Sequence, residues 1–326
     1  FFLSYSCTSM SQERRDSVIN TSDSISCQKD SIITSRLTLL FAGDLMQHQA
    51  QINAARTSTG YDYSDCFKFV KEEINRADIA IANLEVTLGG KPYRGYPAFS
   101  APDEYLFAIR DAGFDVLITA NNHCLDKGKK GLERTLLMLD SLQIPHAGTY
   151  VNTESREQQY PLLLEKNGFR IALLNYTYGT NGIKVISPNV VNYIDKAVMA
   201  QDIEAARAQH PDALIACMHW GDEYQSLPNK EQKNLTDWLL QQGVTHIIGS
   251  HPHVVQPMEL RTDSITGNQH VVVYSLGNFI SNMSARHTDG GLLFKLELEK
   301  DSVTRVANCG YSLVWTSRPV LSRKKN

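Results

Sequence analysis

The residues best suited to chemistry in this 326-residue chain are carboxylates, amides and histidines that directly follow short apolar runs. A carboxylate oxygen combined with an imidazole nitrogen suits borderline divalent metals such as zinc, manganese or iron. A carboxylate that lies between two ions can also bridge them, as two-metal hydrolases require. The candidates are Asp44 after 39–42, Asn83 and Glu85 after 79–82, Asn122 and His123 after 116–118, His219 after 214–216, and His251 and His253 after 247–248.

Two local patterns sharpen this metal hypothesis. In an extended segment, residues i and i+2 point to the same face, so His251 and His253 of the His-Pro-His sequence are expected to reach one cluster. The alternative for this pair is a buried polar turn. Asn122 offers an amide oxygen as a neutral ligand, and the neighbouring His123 is free for proton transfer. A single histidine at a strand end is more often only a hydrogen-bonding group, so the prediction depends on five strand ends acting together.

The elements that must position these residues alternate between strands and helices from residue 36 onward. Repeated strand, loop and helix units predict an α/β fold whose sheet is partly parallel, and the strand-rich end predicts mixed pairing. Parallel strands share a direction, so their carboxyl ends lie at one edge, where ligand sites of open α/β sheets form. The predicted helices are 64–77, 103–112, 128–142, 197–209 and one around Leu235, and the predicted strands are 36–42, 78–86, 114–119, 169–178, 212–218, 244–249, 271–275 and 292–298.

Composition and motifs exclude several classes of function. The chain has 35 acidic residues against 32 Lys and Arg, a net charge of −3, which argues against nucleic acid or another polyanion held by long-range charge. It contains no run of about 18 apolar residues that would span a membrane. The first predicted strand leads into Gly43-Asp44-Leu45-Met46, which is not a dinucleotide-binding Gly-x-Gly-x-x-Gly turn. A Gly-x-Ser-x-Gly elbow of serine hydrolases is also lacking.

The cysteines and the first 35 residues suggest how the chain is located. None of the six cysteines forms a Cys-x-x-Cys pair, and Cys124 and Cys217 lie in apolar segments, as small buried side chains do. The apolar stretch that ends at Cys7 resembles the tail of a bacterial lipoprotein signal peptide, in which Cys7 would carry the lipid; the alternative is an ordinary terminal cysteine. We expect residues 1–35 to form this remnant and a flexible tether, and 36–326 to form the functional domain.

Six ordered motifs between about residues 37 and 300 resemble CapA-type capsule (poly-γ-glutamate) biosynthesis proteins. That family in turn resembles calcineurin-like metallophosphoesterases, which implies a four-layer α/β/β/α sandwich with mixed sheets and a two-metal site. The motifs are Gly43 to Met46, Asn83 to Glu85, Ala120 to His123 with Asp126 and Gly128, His219 to Tyr224, Gly249 to His253 with Gln256, and Ser275 to Phe279.

The resemblance implies one or two divalent ions (manganese, zinc or iron) and assigns their ligands. One ion would be held by Glu85, Asn122, His219 and His251, and the other by Asp44, Glu85 and His253, with His123 assisting the leaving group. Two departures stand out. Met46 replaces the histidine expected two residues after Asp44, so the second site would be weak, empty or completed by His48. The bridging carboxylate is Glu85 rather than an aspartate.

Two classes of function follow, and both are kept open. The first is a metal-dependent hydrolase that acts on a phosphoester or on a bond in an extracellular polymer. The second is a non-catalytic factor that binds an anionic polymer and serves the capsule biosynthesis machinery in the cell envelope, reaching the membrane only through its lipid anchor. Residues expected to orient ligands or contact the substrate are Asn83, Glu223, Asn278 and Arg286, and the segment 91–102 is expected to form one wall of the cleft.

Overall fold

The computed structural model describes residues 34–319, so Cys7 and most of the predicted tether lie outside the described residues. The strands are β1 (Ser35–Leu45), β2 (Ile79–Leu84), β3 (Val116–Ile118), β4 (His146–Ala147), β5 (Thr149–Tyr150), β6 (Leu162–Lys166), β7 (Phe169–Thr177), β8 (Val190–Val191), β9 (Ala213–His219), β10 (His246–Ser250), β11 (Met258–Thr262), β12 (Gln269–Val273), β13 (Asn278–Ile280), β14 (Gly290–Lys300) and β15 (Thr304–Trp315). The helices are α1 (Gln49–Ala55), α2 (Lys71–Ile74), α3 (Asp103–Ala112), α4 (Gly128–Ser141), α5 (Thr153–Gln159), α6 (Lys196–Ala208) and α7 (Lys230–Gln242).

The strands form two large mixed sheets and one small pair. In the first sheet the order is β15-β14-β1-β2-β3-β4, and β13 also pairs with β1. Strands β1 to β4 are parallel, whereas β14 and β15 run antiparallel. In the second sheet the order is β11-β12-β10-β9-β7-β6, with a parallel centre and antiparallel edges. The α/β class with mixed sheets is therefore confirmed.

Alternating side chains of the central strands build three packed layers of core. Along β1, Leu39 and Phe41 face strands of the second sheet, and this core lies between the two sheets. The intervening Leu40 and Ala42 face helices α3 and α4 on the outer side. The second sheet packs its own outer face on α6 and α7, for example through Met199. The order of layers is thus helix, sheet, sheet, helix, and strands buried on both faces explain the nearly continuous apolar runs.

The parallel strands place the polar residues at one edge of the sheet. Gly43 provides the space that allows Asp44, the first of these residues, to lie there. Gly43 lies at a register shift between β1 and β2, directly before Asp44. A Cβ at position 43 would lie 2.0 Å from the carbonyl oxygen of Gly277, so only glycine fits there. The Asp44 N–H donates to that same oxygen at 3.1 Å, which fixes the carboxylate at the strand end.

Most predicted elements are present, and the exceptions have local causes. Helix α3 covers the predicted 103–112 and ends at Gly113, whose φ of +108° suits a helix C-terminus. The helix predicted for 64–77 is wrong in its length, because only a 3-10 turn at Ser64–Cys66 and the four-residue α2 form there. Strand β15 was not predicted. Within residues 34–319, no helix has the length and apolar character needed to cross a membrane.

Candidate metal centre

Glu85 lies at the centre of the cluster that the sequence predicted. It follows β2 and is fully buried. Its Oε1 lies 3.7 Å from Nε2 of His219 and 3.9 Å from Nε2 of His253, and this oxygen accepts no hydrogen bond within the described residues. Burial, together with the neighbouring Asp44 carboxylate, raises the pKa of Glu85 well above its usual value. A cation placed here would offset both the burial of the Glu85 charge and its repulsion by the Asp44 carboxylate.

Asp44 and His253 form a hydrogen-bonded pair with defined proton positions. His253 Nδ1 lies 3.0 Å from Asp44 Oδ2 and 3.1 Å from Asn278 Oδ1. Both oxygens only accept, since the Asn278 amide nitrogen donates to the Thr288 carbonyl, so Nδ1 carries the proton. Nε2 is then an acceptor, and it is buried without a partner among the described residues. Burial raises the pKa of Asp44, but the hydrogen bonds from His253 and Asn83 outweigh this and hold that pKa below its usual value.

Asn83 connects this pair to the histidine contributed by β9. Its amide nitrogen donates to Asp44 Oδ1 at 2.8 Å and lies 3.3 Å from His219 Nδ1. The other ring nitrogen of His219 lies 2.9 Å from Asn122 Oδ1, so amide and imidazole ligand atoms converge. Burial lowers the pKa of His219 well below its usual value, with added repulsion from His251. Burial also lowers the pKa of His251 to about 3, so both rings are neutral and able to bind metal at pH 7.

The His-Pro-His segment reaches the cluster by a different route from the one predicted. The extended conformation expected for residues 251–253 is wrong, because His251 has φ of +100° and His253 has φ of +59°. Non-glycine residues held at positive φ cost about 1–3 kcal/mol each and concentrate at functional sites. The turn nevertheless brings both rings together, with centroids 5.8 Å apart.

The donor atoms fit a divalent cation on chemistry and position. Three buried acceptors of the cluster are among the side-chain atoms that have no hydrogen-bond partner within the described residues, namely Glu85 Oε1, His251 Nδ1 and His253 Nε2. Potential ligand atoms gather in two groups, one of Glu85, His251 and His253 and one of Asp44, Glu85 and His219, each within 4.8 Å. Glu85 belongs to both groups, as a bridging carboxylate would. The groups divide the histidines differently from the ligand sets that the family resemblance implies.

His123 is held at the edge of this cluster by Asp126, an aspartate of the same motif. Nδ1 of His123 lies 2.7 Å from Asp126 Oδ2, and the same oxygen accepts from the Phe99 N–H at 2.7 Å. The Phe99 ring meets the imidazole edge to face, with centroids 4.7 Å apart. Asp126 therefore fixes the ring and joins it to the 91–102 segment. Nε2 makes no hydrogen bond with another described residue.

Met46, which replaces the histidine expected in the first motif, points away from the cluster. Met46 is fully buried and packs in the apolar core between the first sheet and its helices, so it does not face the cluster. Its carbonyl accepts from the Tyr105 hydroxyl, which fixes the backbone at this point. His48 precedes α1, and its Nδ1 accepts from the Asn282 N–H at 3.2 Å. Burial lowers the pKa of His48 to about 4, and its charge is also disfavoured by His253 and His123.

Three other residues were predicted to orient ligands or contact the substrate, and they lie in different environments. Glu223 is partly exposed, with Oε1 4.0 Å from His253 Nε2, on the open side of the cluster. Asn278 is fully buried and bonded to His253, a position that suits orienting that ring rather than touching a substrate. Arg286 is exposed and makes no hydrogen bond or ion pair with another described residue.

A buried asparagine beneath the loop that carries Asn122 was missed by sequence reasoning. Asn175 of β7 accepts from the Thr119 and Ala120 N–H groups at 3.2 and 2.8 Å and donates to the Cys217 carbonyl at 3.1 Å. It thereby ties the second sheet to that loop. The signal was an asparagine inside an otherwise apolar strand, since a buried amide needs bonding partners.

Fold and cluster together define an α/β protein with two face-packed mixed sheets and a candidate metal centre at their carboxyl ends. The profile of the bacterial capsule synthesis protein PGA_cap family matches residues 38–283, and the chain belongs to this family. The predicted resemblance to CapA-type proteins is thus confirmed.

Individual relatives agree with this family. The chain is 26% identical over 287 residues to the capsule biosynthesis protein CapA of Bacillus anthracis, covering 83% of this chain and 66% of that protein. It is 29% identical over 279 residues to the PGA biosynthesis protein CapA of Bacillus subtilis (strain 168), covering 82% and 70%.

Two solved structures also match this chain. TT1561 of Thermus thermophilus has a TM-score of 0.43 at 8% identity, covering 79% of this chain and 93% of that one. The 5'-nucleotidase from Candida albicans SC5314 has a TM-score of 0.44 at 12% identity, covering 86% and 52%.

Proposed function

We propose that this protein is a metal-dependent hydrolase of capsule biosynthesis that acts on a phosphoester or on a bond in an extracellular polymer. One observation carries the proposal. Glu85 Oε1 lies between two histidine nitrogens, buried and without a hydrogen-bond donor among the described residues, in a site where burial already disfavours a lone charge. Such an arrangement is stabilised by a divalent cation.

The residues that would hold one or two ions are the six converging ones, with Glu85 shared between the ions. They are Asp44, Glu85, Asn122, His219, His251 and His253. Manganese, zinc and iron are the ions that this oxygen and nitrogen donor set suits. When bound, such ions lower the pKa of water and neutralise charge that develops on the substrate.

The chain's own residues supply the proton chemistry. In hydrolysis, water forms a bond to phosphorus or carbonyl carbon, the bond to the leaving group breaks, and the leaving group takes a proton. His123 is the proposed donor, because Nδ1 is held by Asp126 and Nε2 is free to reach the leaving atom. Asp126 acts as a positioning residue that fixes the ring orientation.

The family supports a location for this chemistry in the cell envelope. Because the family is named for capsule synthesis and the Bacillus subtilis relative for PGA biosynthesis, the proposed partners are an envelope polymer and the machinery that assembles it. We propose that Cys7 carries a lipid anchor outside the cytoplasm. Changing Cys7 to Ser would then move the protein, produced from its full gene, from the membrane fraction to the soluble fraction.

A second candidate function is a polymer-binding accessory factor without catalysis. The specific observation in its favour is Met46, which lies in the apolar core where the related pattern has a metal-binding histidine. The second ion would then lack a ligand and bind weakly.

One experiment separates the two candidates. The purified protein is analysed for metal and then assayed with manganese, zinc or iron on bis(p-nitrophenyl) phosphate and on poly-γ-glutamate. We expect bound metal in the wild type, loss of metal in His251→Ala, and turnover that His123→Ala abolishes while metal content stays. Full metal content in both Asp44→Ala and His251→Ala would refute the centre. Metal without turnover of any substrate would favour the accessory factor.

A further inference from the structure

Three tyrosines surround the open side of the candidate metal centre. Tyr96, Tyr178 and Tyr224 expose 69%, 48% and 46% of their surface, and they are three of the four exposed tyrosines within residues 34–319. Large exposed aromatic surfaces grouped at one place mark interaction sites, whereas scattered single ones need no explanation. The grouping is therefore the feature to explain.

Each of these rings contacts a different histidine of the centre. The Tyr178 ring centroid lies 4.5 Å from that of His251. The Tyr224 centroid lies 6.3 Å from that of His253, and the Tyr96 centroid lies 6.4 Å from that of His123. A ligand whose reacting atom reaches the centre must therefore pass over phenol rings on three sides.

The backbone fixes two of these tyrosines to the strands and turns that carry the metal-binding histidines. The Tyr178 N–H donates to the His219 carbonyl at 3.0 Å, and the Tyr224 N–H donates to the Pro252 carbonyl at 2.8 Å. Tyr224 is also held at φ of +65°, a conformation that costs a non-glycine residue free energy. Rings held in place before binding lose little entropy on binding, as ligand-contacting residues should.

The chemistry of the rim indicates what kind of ligand it accepts. Among the described residues, no Lys or Arg side chain bonds to the six proposed ligands, and the Glu223 carboxylate lies 4.0 Å from His253 Nε2. A polyanion recognised along its length needs several cations, so this rim suits an uncharged group. No two of the three tyrosines form an aromatic pair with each other, so no tyrosine of the three stacks on another.

We propose that Tyr96, Tyr178 and Tyr224 form a sugar-binding rim, and that the substrate of the centre carries a sugar ring beside the bond that is hydrolysed. A pyranose presents a face of C–H groups that packs on the electron-rich face of a phenol. Its hydroxyls can exchange hydrogen bonds with the phenol O–H. The part that places the sugar beside the reacting bond rests on the proposed function.

Binding without metal tests the rim alone. Calorimetry measures the binding of three hexasaccharides, each titrated into the full chain in the presence of EDTA. They are maltohexaose, cellohexaose and chitohexaose. We expect at least one to bind, and each Tyr→Ala change to weaken that binding about tenfold, the scale on which alanine replacement of a stacking aromatic acts. Tyr178→Phe, which keeps the ring, should retain most of the affinity. Tyr311→Ala, at the fourth exposed tyrosine on β15, should change nothing.

Turnover then tests the position of the sugar. With manganese present, we expect kcat/KM for α-D-glucose 1-phosphate to exceed that for methyl phosphate at least tenfold, and the three tyrosine changes to remove this preference. Failure of all three oligosaccharides to bind, or binding that the tyrosine changes leave intact, overturns the rim even if the protein contains metal and hydrolyses methyl phosphate. Oligosaccharide binding that depends on the tyrosines, without metal or turnover, supports the rim and instead refutes the hydrolase.

Discussion

Replacing Glu85 with glutamine should favour the metal-free folded protein and should reduce the stability that the protein gains on binding metal. Burial and the Asp44 carboxylate raise the pKa of Glu85, so folding favours its protonated form, which glutamine resembles in shape and charge. An acid with a raised folded pKa loses stability as pH rises above its unfolded value of about 4.3. In EDTA we therefore expect Glu85→Gln to be at least as stable as the wild type. Its advantage should grow by up to about 1.4 kcal/mol per pH unit above that value.

Adding metal should stabilise the wild type more than the variant. A metal at 100 times its Kd stabilises the folded protein by about 2.7 kcal/mol. Removing the shared carboxylate should weaken binding at least 100-fold, since even residues that only orient ligands are worth about 10- to 100-fold. At the same metal concentration the variant would keep only about 0.4 kcal/mol of that stabilisation. The gain in stability on adding metal should therefore be roughly 2.3 kcal/mol larger in the wild type than in the variant.

Guanidinium unfolding with manganese and with EDTA measures both effects. Calorimetry of metal binding in two buffers of different ionisation enthalpy adds an independent check, because the wild type should release the Glu85 proton and the variant should not. Glu297→Gln, on β14 at an exposed ion pair, is the matched control and should change stability by less than about 0.5 kcal/mol. A variant that is destabilised in EDTA and binds manganese as the wild type does would refute the reasoning.

Three further predictions follow from single contacts. His123→Ala should lower kcat by about 10²- to 10⁴-fold without changing metal content, which activity and elemental analysis measure together. His246 is buried and accepts from the Val271 N–H at 3.1 Å, and burial lowers its pKa to about 3. The free energy of unfolding of the wild type should therefore fall by about 1.4 kcal/mol per pH unit as pH falls below about 6.5. In urea unfolding, His246→Asn should lack this part of the pH dependence. Gly43→Ala should lower the free energy of unfolding by about 1–3 kcal/mol, because the added methyl group overpacks against Gly277. It should also lower the metal content, because it displaces the neighbouring Asp44. Normal metal binding in this variant would contradict the role of Gly43 in placing that carboxylate.

The sequence was most informative where one rule controls the outcome. Helices α3 and α4 were predicted almost to the residue, because an apolar face and a terminating glycine or loop are local signals. The convergence of polar residues was predictable because the carboxyl ends of parallel strands share an edge. What it missed depends on tertiary contacts. The 64–77 segment has a helical pattern, yet packing of Phe67 and Ile74 in the core is satisfied by short turns.

The interior of the site shows a second limit on sequence prediction. The Met46 N–H donates a hydrogen bond to the carbonyl of Ile280, a residue more than 230 positions away. This contact fixes the backbone at the point where Met46 turns into the core. The bond from Asp126 to both His123 and Phe99 likewise joins a turn to a distant segment. Spacing along the chain carries no information about such contacts. It gives the residue types at a site, whereas the hydrogen bonds that orient them are visible only in three dimensions.

The cost of this arrangement is itself an argument that it binds a ligand. Glu85 and His253 each bury an acceptor without a donor among the described residues, and leaving such a group unsatisfied costs about 1–3 kcal/mol. His251 and His253 are in addition held at positive φ. A chain selected for stability alone would relieve these costs with apolar side chains, as Met46 does one strand end away. A bound cation would relieve the electrostatic part at a single point, because three of the unpaired atoms belong to Glu85, His251 and His253, whose potential ligand atoms lie within 4.8 Å of one another.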